Sequence, residues 1–446
     1  MTVALTPPRA PVVPESPLLD VVGRDLEIPT VTGERRRFVQ LDYAASAPPL
    51  QAVADTVEAF LPWYSSVHRG AGFTSTVSSE ALEAARHTVH AFVGARADDT
   101  VVFTRNTTDA LNLLAGVLPD GSTVVTLDLE HHANLLPWRG HDHVHLPTPA
   151  TLTALPDEFD EALGRLNGSQ VLVAVTGASN VTGELLPVAD IASVAHRHGA
   201  RVLVDAAQLA PHRRVDLAGL DVDYLALSGH KLYAPYGSGV LVGRRDWLDS
   251  APPYLAGGGA VRSVTSAGAE WAASPARHEA GTPNVVGAVA IAAACRTLTE
   301  FGLDRVAAHD TALTDHLRAG LERIDGVQVL SAFGGDSDRV GIVALHTGRR
   351  EAAVVAAALS AEHAIATRDG AFCAHPFLRH LFGVTEDSRL PNALRVSIGV
   401  GTTRGDIDVL LTALADISEN GPRWAYELTA GRFAPVPDHR PRPMFG

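Results

Sequence analysis

The chain is poor in sulfur and in positive charge. Its two cysteines, Cys295 and Cys373, cannot build a disulfide framework, and their scarcity fits a reducing cytoplasm, so each thiol needs its own explanation. Lysines and arginines number 36 against 50 acids, and no basic block gives a phosphate-backbone footprint; nucleic acid is not an expected partner. Long hydrophobic runs are also missing. The longest worth testing, Val285–Cys295, is an Ala-rich stretch of eleven residues. It falls short of the roughly 20 residues that cross a bilayer and reads as a buried helix, so no membrane segment is expected. Residues 7–17 carry five prolines and no apolar core follows a basic start, so a secretory signal is not indicated and a cytoplasmic location is expected. No fixed-period repeat is present, which excludes solenoids.

What is present is ample apolar material, 46% of the 446 residues, with 19% charged. That length exceeds what one core usually serves, so a large and a smaller domain are expected. Short β-branched runs at 100–104, 123–127, 171–175, 202–205, 224–228 and 239–243 read as buried strands. Helical patterns at 109–117, 157–166 and 188–198 lie between them, the last stopping at Gly199. This alternation predicts an α/β domain with a mostly parallel sheet. Beyond it, helical patterns at 303–324, 350–362 and from Arg404 alternate with strand-like 327–330, 340–345 and 394–398, which is α+β in character. The expected division is a Pro-rich arm and start of the small domain (1–37), a large domain (38–295), a small domain (296–420) and a Pro-rich tail (421–446), with both ends extended.

Chemistry-bearing residues stand where strands end. Lys231 closes Ser228-Gly229-His230-Lys231 directly after a strand, where ligands of α/β sheets gather. Taken alone, that string fits a surface lysine in a turn equally well. Asp205 ends an apolar run, and an unpaired buried acid is expensive unless it meets a cation or caps a helix. Gln208 follows three residues on, as a cofactor contact or a solvated turn residue. Phe103–Thr108 joins a strand to a helix, so Thr107 and Thr108 offer hydroxyls and free amides at a helix start, an anion site by geometry, although Thr108 could simply cap the helix. His131 follows another strand. A lysine for a Schiff base, a carboxylate for a pyridine nitrogen, a phosphate cradle and a flat group against a ring are together what pyridoxal 5'-phosphate requires. The histidines at 131, 132, 141, 143 and 145 raise a metal-binding alternative, without enzymatic activity. Against it, the segment supplies no cysteine and the 141/143/145 alternation reads as one strand face.

Several ordered strings carry a resemblance: Leu41-Asp42-Tyr43-Ala44-Ala45, His68-Arg69-Gly70, Phe103–Thr108, Glu130–Trp138, Ser179–Gly183, Asp205–Gln208 with His212, Ser228–Pro235, Gly281-Thr282-Pro283-Asn284, Arg368–Pro376 and Arg395-Val396-Ser397. Over about residues 38–418 the chain resembles the class V aminotransferase family of fold type I pyridoxal phosphate enzymes, within it the group II cysteine desulfurase and selenocysteine lyase branch. The resemblance implies a mostly parallel seven-stranded sheet with a smaller α+β C-terminal domain, and a cysteine desulfurase converting L-cysteine to L-alanine. Other class V reactions on another amino acid (aminotransferase, selenocysteine lyase, C–S lyase, epimerase) are the alternative.

Residue by residue, it implies that Lys231 forms the Schiff base, His131 stacks on the ring, Asp205 meets the pyridine nitrogen and Gln208 and Asn180 lie near the phenolic oxygen. Thr107, Thr108, Ser228 and His230 would hold the phosphate. Thr282 would reach the phosphate of a neighbouring subunit, in a homodimer with shared active sites. Arg395 would clamp the substrate carboxylate, with Arg368, His68 and Arg69 also on the substrate side. Cys373, in Arg368–Pro376, matches the cysteine that carries the persulfide, which a sulfur-acceptor protein would unload. Cys295, in its Ala-rich helix, reads as a small buried hydrophobe. The chain departs from the pattern at Ala371 and Phe372, where the family often has two histidines, at Gly401-Thr402-Thr403, and at Ala206. The first departure removes imidazoles that could assist the thiol.

Overall fold

The computed structural model describes residues 13–445 apart from 69, 167–169 and 335–336. Seven strands form the central sheet: β1 (Thr100–Thr104), β2 (Thr123–Leu127), β3 (Asp142–Leu146), β4 (Val171–Thr176), β5 (Arg201–Asp205), β6 (Tyr224–Ser228) and β7 (Gly239–Gly243). Their order is β1-β7-β6-β5-β4-β2-β3, and only β7 runs against its neighbours. Strands covered on both faces need no polar alternation, which is why they read as continuous apolar runs; β2, β6 and β7 are buried throughout. Because the other six strands are parallel, their C-terminal ends open on one side of the sheet, where the predicted site residues follow. The reversed β7 depends on Gly239: a Cβ there would meet the Asn106 Cα at 2.6 Å.

The helix predicted from Val285 is α2 (Val285–Phe301), so position 295 falls inside it and Cys295 is buried. The break comes later, at Gly302 with φ +101, before α3 (Leu303–Leu321), which turns away by 82°. Among the described residues no single helix is long and apolar enough to cross a membrane. A second core surrounds the antiparallel sheet of Gln328–Val329, Ile342–His346, Ala393–Ser397 and Arg368–Gly370, and it takes in Leu313, Val343, Leu394 and Ile407. It also takes in Val39 and Leu41, which the sequence reading assigned to the large domain. The two-residue strand Val39–Gln40 pairs in parallel with Ile365–Ala366, a match too short to leave a pattern.

The C-terminal tail is not an extended arm. Tyr426–Thr429 and Arg432–Pro435 form a hairpin, anchored where Glu362 accepts from the Tyr426 hydroxyl (2.8 Å) and the Arg423 amide (3.0 Å). The histidine stretch differs too. The His143 and His145 rings lie 3.8 Å apart, tilted by 40°, on the edge strand β3, whereas His141 lies outside it with Nε2 bonded to the Ala115 carbonyl. No group of three potential ligands is arranged to hold a metal ion among the described residues.

Candidate active site

One cavity at the strand ends gathers twelve predicted residues from segments far apart in sequence: Thr107, Thr108, His131, Asn180, Asp205, Gln208, Ser228, His230, Lys231, Arg368, Cys373 and Arg395. At its floor is the start of α1 (Thr107–Val117). The helix cap is Asn106, whose side chain accepts from the Asp109 amide, and not Thr108 as the sequence allowed. Thr107 is tied across to β6, its amide donating to Ser228 Oγ at 2.8 Å and its hydroxyl 2.7 Å from the same oxygen. Thr108 stays exposed at the cavity wall.

Asp205 is 4% exposed, and the only hydrogen bond to its carboxylate among the described residues comes from the Ala207 amide. Burial therefore raises its pKa, and Lys231 partly offsets that. Lys231 is half-buried at the wall; loss of hydration pushes its ammonium down to about 8, while the Asp205 charge pulls the other way. Burial, with Lys231 nearby, drives His131 down to about 3. Its Nδ1 accepts from the Ala133 amide, so in the neutral ring the proton sits on Nε2. His230 is lowered to about 4, again chiefly by burial. Gln208 donates its amide to the Ala44 carbonyl.

Arg395, on the small-domain sheet, is fully enclosed. It donates to the Asn180 carbonyl (2.9 Å) and to Asp42 (3.2 Å), lies 5.0 Å from the Phe372 ring, and keeps a buried Nε with no partner. Cys373 is exposed. It and Phe372 both adopt positive φ, 56° and 53°, which costs a bulky residue energy and must be held by its surroundings. Asn180 Nδ2 donates to the Phe372 carbonyl at 2.8 Å, and the His132 amide donates to the Cys373 carbonyl at 2.7 Å. Ala371 and Phe372 do not leave the thiol's loop without imidazoles: His132 and His375 pack edge to face at 4.4 Å beside it.

Two predicted residues, Thr282 and His68, do not line this cavity. Thr282 lines a neighbouring pocket with Gly237, Ser238 and His278. His68 stands at φ +63 with Nε2 3.3 Å from Glu83, and Arg69 lies outside the described residues. The sequence reading assigned no role to Asp42 or Glu130. Glu130 is buried, bonded to Asn134 and the Thr176 amide, and raised by burial to about 8. Its sequence signal is an acid three residues beyond an apolar strand, weaker than that of Asp205, which ends its strand.

Residues 39–410 match the family model for aminotransferase class V. The chain belongs to the aminotransferase class V family. A relative named cysteine desulfurase, from Cronobacter sakazakii, is 34% identical over 90% of this chain and 98% of its own length. A solved cysteine desulfurase from Thermococcus onnurineus superposes with a TM-score of 0.77 at 29% identity, covering 86% of this chain and 95% of that one. Another from Escherichia coli, in an S-sulfonic acid form, gives 0.73 at 32% identity over 85% and 94%. The seven-stranded sheet agrees with the fold type I architecture of this class V family.

The site also fits the cofactor that the family implies. A buried acid whose carboxylate accepts a single backbone hydrogen bond among the described residues, a lysine of weakened basicity and paired hydroxyls at a helix start are the donor set that pyridoxal 5'-phosphate would satisfy.

Proposed function

We propose that the protein is a pyridoxal phosphate-dependent cysteine desulfurase that converts L-cysteine to L-alanine and leaves a persulfide on Cys373. The observation that carries this reading is the opening of Lys231, Arg395 and the exposed Cys373 on one cavity. Thr107, Thr108, Ser228 and His230 would hold the phosphate, Asp205 the pyridine nitrogen, Gln208 and Asn180 the phenolic oxygen, with His131 against the ring and Lys231 as the covalent anchor. When bound, the cofactor supplies an aldehyde that captures an amine and a protonated ring that accepts electrons from a broken Cα–H bond.

The chain's own residues do the rest. With a pKa near 8, roughly a tenth of Lys231 is neutral at pH 7, enough to act as nucleophile and then as base at Nζ. Asp205 keeps its negative charge best when a cation faces it, which favours a protonated ring nitrogen. Asp42 and the Asn180 carbonyl orient Arg395 toward the substrate carboxylate. The division into a large domain, a small domain and two terminal segments belongs to the same proposal, with the crossing into the small core moved to residues 39–41 and the helix break to Gly302.

A homodimer is part of it. Thr282 lies outside its own chain's cavity, and the exposed rings of Trp63, Tyr64 and Phe73 offer apolar surface for a second copy, across which Thr282 would reach the other phosphate. Arg69 and His68 would join the substrate side only in that assembly. A thiol-bearing acceptor protein takes the sulfur, in the cytoplasm.

The test is to give purified protein and Cys373→Ala L-cysteine, L-selenocysteine and other amino acids, measuring sulfide or selenide, alanine and keto acid together. Equimolar alanine and sulfur from cysteine, lost in the variant, is the expected result. Sulfide and alanine production that survives in Cys373→Ala refutes the persulfide route, and keto acid from another amino acid points to a different class V reaction.

A further inference from the structure

Glu130 is fully buried, directly before His131, and nothing in the proposed reaction uses it. A buried carboxyl needs partners for both oxygens, because water does not reach them. Glu130 finds them on two different elements: Oε1 accepts from the Thr176 amide at 2.8 Å and Oε2 from Asn134 Nδ2 at 2.9 Å. Both partners are uncharged. Burial, reinforced by the negative charges of Asp205 and Asp128, favours the neutral acid.

Each partner belongs to the cofactor-side wall. Thr176 ends β4, stands opposite Asp205 in the β4–β5 register and lines the cavity. Asn134 closes the single 3-10 turn His132–Asn134 that starts at His131. Its amide donates to the His131 carbonyl at 2.7 Å, and its own carbonyl accepts from Trp138 Nε1 at 2.9 Å. The same turn fixes the His131 ring, whose Nδ1 accepts from the Ala133 amide at 3.0 Å. One side chain thus ties the turn that carries the imidazole to the strand end beside the buried acid.

We propose that Glu130 is a positioning residue for the reaction: as a brace between Asn134 and Thr176 it sets the place of the His131 imidazole relative to Asp205, and so shapes the cavity for a flat ring. What fills that space rests on the cofactor reading; the brace lies within this chain. It needs an acceptor for the Thr176 amide and a bond to Asn134, and no charge. A neutral Glu130 also keeps a second anion away from Asp205, which leaves Asp205 to face the ring nitrogen alone. Asn134 Oδ1 is buried with no partner, so its side-chain amide can turn over and accept from a donor at position 130. Glu130→Gln supplies such a donor and keeps the acceptor for Thr176.

NMR of cofactor-free protein carrying isotope-labelled histidine reads the His131 ring directly, with His131→Gln identifying its signals. The parent should show one tautomer, its proton on Nε2. Glu130→Ala should release the turn and average the two ring-nitrogen signals. It should also weaken pyridoxal 5'-phosphate binding, followed by absorbance, about tenfold, the scale of a lost buried hydrogen bond. Glu130→Gln should restore the parental tautomer and recover most of that affinity. Asn134→Ala cuts one of the two ties and should move the His131 signals the same way, which keeps the test available if Glu130→Ala does not fold. Parental His131 signals in a folded alanine variant overturn the proposal. So does Glu130→Gln behaving like Glu130→Ala, since charge and not bracing would then carry the role. If the cofactor reading is wrong, pyridoxal 5'-phosphate binds none of these proteins, the parent included, while the change in the His131 signals still stands.

Discussion

Lys231 should make the cofactor-free protein less stable at neutral pH than a variant without it. An unfolded lysine ionises at its usual 10.5, whereas burial lowers the folded value to about 8. The folded state therefore binds fewer protons than the unfolded state between those values, and stability rises with pH across that window. Equivalently, the lysine's contribution is complete above 10.5, falls as pH drops toward 8, and stays low below it. At about 1.4 kcal/mol per tenfold change in proton affinity the gap is worth about 3 kcal/mol at most. Solvent reaches the half-buried side chain through the open cavity, which reduces this to about 1–2 kcal/mol. Lys231→Met keeps the aliphatic stem and deletes the charge. Urea unfolding of both cofactor-free proteins from pH 7 to pH 10 should show the variant more stable at pH 7 by that amount, with the difference shrinking as pH rises. Parallel curves, or a wild type more stable at pH 7, would refute the reasoning. Loading the cofactor consumes the amine, so the wild type should then regain its deficit.

Native alkylation should label Cys373 and spare Cys295, since Cys295 is fully buried and its thiol is pushed well above the ordinary range; peptide mapping checks the site. Asp42→Ala frees the Arg395 guanidinium from its 3.2 Å partner and should raise KM for the amino acid about tenfold with a smaller change in kcat, read from steady-state kinetics. Glu279 accepts two bonds from Arg86 at 2.8 and 2.9 Å and the Phe103 amide beneath the α1 start. Glu279→Gln should cost about 1–3 kcal/mol in denaturant unfolding, because it leaves the buried guanidinium with only the partly exposed Glu83, at 3.1 Å, as counter-charge. Asn180→Ala removes the donor to the Phe372 carbonyl, and hydrogen exchange over residues 371–374 should accelerate by about tenfold or more, consistent with about 1–3 kcal/mol.

What the sequence made legible is what local chemistry writes locally. A buried parallel strand is a short apolar run, and the residue that follows it stands at the sheet's ligand edge. Asp205, Lys231 and His131 could therefore each be singled out as a candidate and were decided only together, and their convergence on a single cavity follows from the strands sharing a direction. Cap identity was less readable, because Asn106, Thr107 and Thr108 are all competent and only the Thr107–Ser228 contact across to β6 selects among them. The tail was misread because five prolines suggest extension, while the hairpin depends on Glu362, more than sixty positions upstream of its Tyr426 partner.

The cysteine loop is the extreme case. Phe372 and Cys373 have no glycine's freedom at positive φ, so nothing in their own side chains predicts the conformation. It is imposed by Asn180 and His132, whose bonds span nearly two hundred residues or more. Those two clamps belong to the cofactor-side wall, with Asn180 also accepting from Arg395 and His132 adjoining His131. The elements that would hold the cofactor and the substrate carboxylate are thus the elements that set the nucleophile's loop. A change in either wall should move Cys373, even though the loop itself lies in the other half of the sequence.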